Sequence, residues 1–302
     1  MVKMYPYYPL FGKKMVTKEQ ILTFPPQHQD RQPGFEYVMN PLPISESPDY
    51  KGSGKLTGKV AIISGGDSGI GRAVALAFAK EGARLSIVYL DEDQDADWTK
   101  RRIEALGSEC LLIRADLRNS QSSKLAVART INKFGRLDII VNNCGVQFVK
   151  KSLLEISDEQ LLTTFQTNIF SFFYLTREAL THLKPGSSII NTASVTAYRG
   201  SKNLIDYSAT KGAIVSFTRA LSLNVIEQGI RVNAVAPGPI WTPLIPATFA
   251  PENVETFGTE VPMKRAGQPF ELAPAFVYLA SDDSGYVSGQ VLHVGGGEMV
   301  ES

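Results

Sequence analysis

From about Lys59 onward, short continuous apolar runs alternate with segments whose apolar residues recur at a helical period. The runs KVAIIS, RLSIVYL, CLLIRADL, LDIIVNN, SSIINTAS, IRVNAVAPG and GQVLHVGGG are unbroken rather than alternating. That pattern predicts strands buried on both faces. RAVALAFAKEG, SDEQLLTTFQTNIFSFFYLTREALTHL, DYSATKGAIVSFTRALSLNVIE and ELAPAFVYLAS carry the helical spacing between them. The second of these predicts one long helix opening on a Ser157 cap, with Glu159 and Gln160 in its first turn. Strands alternating with helices predict an α/β domain with a parallel sheet covered on both sides.

Residues 1–55 differ in kind. FPPQHQDRQPGFEYVMNPLPISESPDYKGSG is rich in Pro, Gly and polar residues and has no period, so it cannot bury a core of its own. Two readings stand: a disordered tail, or an arm lying along the main domain or a neighbouring subunit. In the second, Tyr5, Tyr7, Tyr8, Phe11, Phe24, Phe35 and Tyr37 would be its anchors.

The bulk properties narrow the function classes. With 302 residues, 43% of them hydrophobic, the chain can form one large domain over residues 56–302. A net charge of +1 and no basic run argue against nucleic acid and membrane surfaces as partners. No run of about 18 apolar residues appears, and MVKMYPYYPLFGKKMV is too short and broken for a signal peptide. Cys110 and Cys144 read as buried thiols of a reducing, cytoplasmic compartment, and no Cys/His cluster suggests a metal.

The first strand runs into GGDSGIG and then a helix, the order a dinucleotide site requires. Gly65 permits the tight turn, Gly69 and Gly71 allow close approach of backbone to pyrophosphate and of helix to sheet, and the helix N-terminus offers free N–H groups. The second strand meets Asp91, Glu92 and Asp93. An acid there can accept from an adenosine ribose, although the three could equally just open the next helix. No Arg or Lys stands among Asp67, Ser68, Tyr89, Leu90 and Asp91, so NAD is favoured over NADP. Asp116 ends the third strand, placed to touch the adenine edge.

The proton chemistry lies in NTASVTAYRGSKNLIDYSATK, residues 191–211. Tyr207 and Lys211 are one helical turn apart and share a face. A free phenol has a pKa near ~10, and an ammonium nearby would favour the phenolate. Ser194 emerges at the carboxyl end of a strand, where open α/β sheets bind ligands. Asn168, in the apolar middle of the long helix, is either a packing amide or the holder of a water beside Lys211. Pro237, Gly238 and Pro239 fix a rigid turn whose backbone could hold a carboxamide, with Thr242 following. Residues 243–261 read as an insertion over the site, and Trp241, Phe249 and Phe257 are either an apolar lid or core. His293 reads as a packed or interface histidine.

Together these pieces resemble the short-chain dehydrogenase/reductase family, over residues 56–297. The resemblance rests on Ser64-Gly-Gly-Asp-Ser-Gly-Ile-Gly71, Asp116, Asn142-Asn-Cys-Gly145, Asn168, Ser194, Tyr207-Ser-Ala-Thr-Lys211 and Pro237-Gly238, in matching order. The extension FPPQHQDRQPG and the segment PMKRAGQPFELAPAFVYLAS are similar to a bacterial subgroup with amino-terminal extensions, loosely labelled general-stress, aldehyde-reductase or glucose-dehydrogenase-like.

The resemblance implies a Rossmann-type doubly wound sheet of about seven strands and an NAD(P)-linked alcohol/carbonyl oxidoreductase. It further implies Tyr207 as general acid/base, Ser194 on the substrate oxygen, Lys211 on the nicotinamide ribose and Asn168 ordering a relay water. Ile70, Leu117, Asn143, Gly145 and Ile240 join the cofactor site. Gln147, Phe148, Val195, Tyr198 and Trp241 would line the substrate pocket, and subunits would pair as a homotetramer. A nucleotide-binding sensor without turnover, or an epimerase holding NAD tightly, are the other classes.

Overall fold

The structure, a computed structural model, describes residues 23–298. Strands β1 (Val60–Ser64), β2 (Arg84–Tyr89), β3 (Cys110–Arg114), β4 (Ile139–Asn142), β5 (Ser188–Thr192), β6 (Arg231–Pro237) and β7 (Val291–Val294) form one parallel sheet in the order β3-β2-β1-β4-β5-β6-β7. The expected seven-stranded, doubly wound sheet is therefore present. β1, β4, β5 and β6 are buried at every position, which is why their sequences are unbroken apolar runs.

Helices α1 (Gly69–Lys80), α2 (Asp93–Ala105) and α9 (Pro269–Ala280) cover one face, where Leu76, Phe78, Leu272 and Phe276 meet Ile63, Val141 and Val235. On the other face lie α3 (Ser120–Phe134), α5 (Ser171–Leu180) and α7 (Ile205–Val225), whose Val127, Leu175 and Val225 meet Ile62, Ile140 and Val232. The chain turns outward in opposite directions from β1 and β4, so their carboxyl ends flank the crevice where such sheets bind ligands.

Two buried amides lock the helices of that second face to the sheet. Asn142 Nδ2 donates to Thr176 Oγ1 on α5 at 3.0 Å and to Asn191 Oδ1 at 2.8 Å, and Asn191 Nδ2 donates to Thr218 Oγ1 on α7 at 2.9 Å. Directional bonds of this kind fix the height of α7 on the sheet, which apolar packing alone leaves free to slide.

The long helix is broken where the sequence predicts continuity. Ser157 caps α4 (Asp158–Phe165), its hydroxyl accepting from Gln160 N at 3.1 Å, but a π-helical turn, Gln166–Phe170, separates α4 from α5. Wide turns of this type mark functional positions, and Asn168 sits inside this one.

Residues 23–58 contain no helix or strand, yet they are ordered against the domain. The Glu36 carboxylate, buried, accepts from Gly69 N at 2.6 Å and pairs with Arg72, which also bonds Asp95 at 3.0 Å. Asp95 in turn accepts from Glu36 N at 2.7 Å and Tyr37 N at 3.1 Å. Of the aromatic anchors within the described residues, Phe24 is buried and stacks on Trp241 with centroids 3.8 Å apart, whereas Tyr37 is exposed. Tyr5, Tyr7, Tyr8 and Phe11 lie outside the described residues. The arm thus holds by polar staples and one stacked ring, a pattern with no periodic signature.

Candidate active site

The glycine turn forms a cradle that a side chain would fill. Gly65 and Gly69 have φ of +60° and +52°, and a Cβ on Gly71 would stand 1.9 Å from Gly65 O. The hydroxyl of Ser64 accepts from Asn143 N at 2.9 Å and Cys144 N at 3.2 Å, and Asn143 Nδ2 donates to Gly65 O at 3.0 Å. These bonds weld the turn to the end of β4. Glu36 takes the Gly69 N–H, while Ile70, another first-turn residue of α1, lies on the wall of a cavity of about 470 Å³. First-turn N–H groups have no acceptor within their own helix, so this wall suits an anion.

That cavity runs from Asp67, Ser68 and Gly69 past Asn143 and Gly145 to Ser194, Tyr207 and Lys211, with Pro237, Gly238, Ile240 and Thr242 along it. Tyr89, Leu90, Asp116 and Leu117 line its far end. Gly71 does not reach the wall; its role is the close packing of α1 on the turn.

At the far end the strand acids divide. Asp91 is not on the wall, and Arg31 of the arm holds it, Nη2 lying 2.5 Å from its Oδ1. Glu92 is on the wall instead: its Oε2 accepts from Leu90 N and Asp91 N at 3.2 and 3.1 Å, and its buried Oε1 has no partner among the described residues. Burial pushes the Glu92 and Asp67 carboxyls up. An orphaned acceptor beside a glycine cradle fits the ribose and pyrophosphate of a dinucleotide. Arg118 holds the Asp116 carboxyl below its usual range with bonds of 2.6 to 3.0 Å. The fold does bring a cation near this strand end from 60 residues upstream, but Arg31 is spent on Asp91 and is not on the cavity wall.

At the near end, Ser194, Tyr207 and Lys211 converge. Ser194 Oγ accepts from Thr196 N at 3.1 Å and from Thr196 Oγ1 at 3.0 Å, and it faces the same cavity as the Tyr207 phenol. Burial pushes Tyr207 up to about 12, with the Ser194 contact opposing. Burial pushes Lys211 down to about 8. The Lys211 ammonium donates to Thr192 O at 2.8 Å and stands 5.4 Å from the Tyr207 ring centroid. The expected lowering of the phenol by Lys211 is therefore not a property of the protein alone; desolvation dominates.

Asn168 is fully buried, and its amide closes on one backbone unit. Oδ1 accepts from Val146 N at 2.8 Å, and Nδ2 donates to Val146 O at 2.9 Å and Thr210 Oγ1 at 3.1 Å. Both amide hydrogens are spent, so the side chain clamps the loop between Gly145 and Gln147 rather than presenting donors to a water.

The substrate side needs two corrections. Trp241 is completely buried, between Phe24 and a bond from its Nε1 to Pro41 O at 3.0 Å. Tyr198, on the short helix α6 (Thr196–Arg199), faces away and packs edge-on against His293, centroids 4.5 Å apart. Neither lines the cavity, whereas Gln147, Phe148 and Val195 do. Phe249 and Phe257 line it too, flanking the short helix α8 (Pro251–Glu255), so these two belong to the lid and Trp241 to the core. The wall also holds residues that the sequence pattern does not point to, among them Gln32, Pro33 and Gly34 of the arm.

A family model described as Enoyl-(Acyl carrier protein) reductase matches residues 65–298. The uncharacterized oxidoreductase YhxC of Bacillus subtilis is 61% identical over 92% of this chain and 97% of its own. The chloroplastic NADPH-dependent aldehyde reductase 1 of Arabidopsis thaliana is 52% identical over 91% of this chain and 98% of its own. Among solved structures, the short-chain dehydrogenase/reductase, glucose/ribitol dehydrogenase, of Brucella melitensis superposes with a TM-score of 0.74, at 35% identity, covering 83% of this chain and all of that one.

Proposed function

The chain belongs to the short-chain dehydrogenase/reductase family, and from that premise we propose that it interconverts an alcohol and its aldehyde, ketone or sugar carbonyl, using NAD(P) and Tyr207 as the proton carrier. The observation that carries the proposal is the convergence of the Ser194 hydroxyl and the Tyr207 phenol on the cavity wall, with Lys211 buried beside them. A bound nicotinamide supplies or takes up the hydride. Tyr207, protonated at neutral pH, donates to the carbonyl oxygen as negative charge develops there, and in the oxidative direction it removes the hydroxyl proton. Ser194 hydrogen-bonds the same oxygen, a stabilisation that grows with its charge. Lys211 would hold the nicotinamide ribose, and its charge, close to the phenol, favours proton release when oxidation is required.

The cradle of Gly65, Gly69 and Ile70 would hold the pyrophosphate, Glu92 the adenosine ribose, and Asp116 and Leu117 the adenine. An NAD preference rested on the absence of a cation; Arg31 stands beside Asp91 near that strand end, and the name of the Arabidopsis relative points to NADPH. We therefore propose use of both nucleotides. Asn168 acts as a positioning residue through Val146.

The reading extends to a homotetramer in the cytoplasm. Leu161, Leu162 and Phe173 on α4 and α5 and Leu223 on α7 are exposed apolar side chains, an unpartnered surface of the kind subunits cover. No described helix is long and apolar enough to cross a membrane. Light scattering that returned the 33.0 kDa of one chain would refute the assembly.

Turnover is tested by following absorbance at 340 nm with NADH or NADPH over a panel of aldehydes, ketones and sugars. Tyr207→Phe should lower kcat by about a thousandfold, within the span usual for one proton-transfer group. Ordinary activity in this variant would overturn the proton-carrier assignment.

A further inference from the structure

The arm and the lid are bonded along their length. Phe24 N donates to Glu255 O at 3.1 Å, His28 Nδ1 lies 2.9 Å from Phe249 O, and Gln29 N donates to Pro246 O at 2.9 Å. Gln32 Nε2 reaches Ala247 O and Thr248 Oγ1, both at 3.3 Å, and Gly34 packs so closely that a Cβ there would be 2.6 Å from Pro243 O. Phe24 also stacks beneath this segment on Trp241.

Gln32 does something more than hold the lid. Its Oε1 accepts from Gln147 N at 3.0 Å and its Nε2 donates to Gln147 O, on the opposite side of the cavity mouth. One amide thus spans from the loop after β4 to the lid, and with both its ends spent on backbone it offers the cavity no free donor. Around it the wall is apolar: Pro33, Phe148, Leu244, Ile245 and Phe249.

We propose that the arm is a permanent wall of the substrate pocket, built before any ligand arrives, with Gln32 the residue that sets its width. The width claim rests on the oxidoreductase reading; the strapping of the lid does not. A lid already ordered spares a ligand the entropy of ordering it, and a wall tied at both ends cannot retreat from a bulky group. The pocket therefore selects small, largely apolar carbonyl compounds over large ones.

Hydrogen exchange read by mass spectrometry on the nucleotide-free, full-length protein tests the strap. Lid peptides across residues 243–257 should be protected without ligand. Gly34→Ala, whose methyl collides with Pro243 O, should speed their exchange by about tenfold or more while sheet peptides stay unchanged. A wild-type lid that exchanges freely until NADPH is added, or a lid indifferent to Gly34→Ala, would overturn the strap.

Width is read from kcat/KM for benzaldehyde against propanal. Gln32→Ala should raise that ratio by about tenfold, an energy of the size carried by one or two hydrogen bonds. Gln32→Glu keeps the bulk but loses the donor to Gln147 O, so it should speed lid exchange with a smaller change in the ratio. An unchanged ratio in Gln32→Ala overturns the width claim. Turnover of no carbonyl by the wild type would sink the oxidoreductase reading and the width claim together, whereas lid exchange decides the strap either way.

Discussion

Asn168 is the residue at which structure makes the firmest demand. Replacing it by alanine leaves Val146 N and Val146 O buried without partners; Thr210 Oγ1 keeps its bond to Tyr207 O at 2.7 Å. Each orphaned buried group costs about 1–3 kcal/mol, so Asn168→Ala should lose about 2–6 kcal/mol, less whatever water recovers. Urea denaturation with an unchanged m-value measures this directly.

Asn168→Asp separates the two bonds. A carboxylate still accepts from Val146 N but faces Val146 O with nothing to donate, and only its protonated form can do so. Its folded pKa should therefore lie above its unfolded one, because burial and the carbonyl both favour the neutral acid. Such a group stabilises at low pH and loses that contribution as pH rises through its folded value. Stability of the Asp variant should fall relative to wild type as pH goes from about 5 to 8. Since Val146 lies between Gly145 and Gln147, kcat/KM should fall with it under conditions where the variant is still folded. A cost below about 1 kcal/mol for the alanine variant, or a pH-independent difference for the aspartate variant, would refute the clamp.

Other expectations follow from the same geometry. If Arg31 turns from Asp91 to a 2′-phosphate when NADPH binds, Arg31→Gln should raise the ratio of the NADPH to the NADH dissociation constant by about tenfold; equal weakening of both nucleotides in a fluorescence titration would make Arg31 merely an arm staple. Absorbance at 295 nm should show the phenols of Tyr89 and Tyr207 titrating near 12 in cofactor-free protein, and Tyr207→Phe should lower that amplitude by one phenol; an unchanged amplitude would refute the burial argument. Lys211, lowered to about 8 in the fold, is protonated more fully in the unfolded chain above that value, so stability should gain from this group as pH rises from about 8 to 10.5. Lys211→Met should flatten that gain in thermal melts. Gly71→Ala, with a Cβ 1.9 Å from Gly65 O, should abolish nucleotide binding, and retained titration of NADH would refute the cradle.

The sheet was legible because two-sided burial writes itself as unbroken apolar runs, and the glycine turn because its φ values demand that residue. Ser194, Tyr207 and Lys211 were legible because a strand end and one helical turn place them locally. What the pattern could not carry is whatever depends on distant chain meeting distant chain. Gln32 lies 115 residues from Gln147, and Arg31 reaches Asp91 through an arm with no period. Trp241 and Tyr198 were misplaced for a related reason: both adjoin the site in sequence, but burial under Phe24 and packing on His293 turn them from it. The π-turn at Asn168 escaped because flanking apolar spacing reads as continuous helix whether or not one residue is inserted.

The bond between His28 and Phe249 spans 221 residues. Six of the seven strands, β1 to β6, lie between those partners, so the substrate pocket is finished by one of the longest loop closures in the described chain, a contact whose entropic cost is repaid only when the rest is already in place. Arm residues, made before the lid on the ribosome, complete the mouth last. During synthesis the turn, the cradle and the Tyr207 helix can assemble while the pocket still stands open, and a nascent chain ending before the lid would have a nucleotide site without a specific carbonyl site. Timing, as well as shape, separates the two halves of this molecule's chemistry.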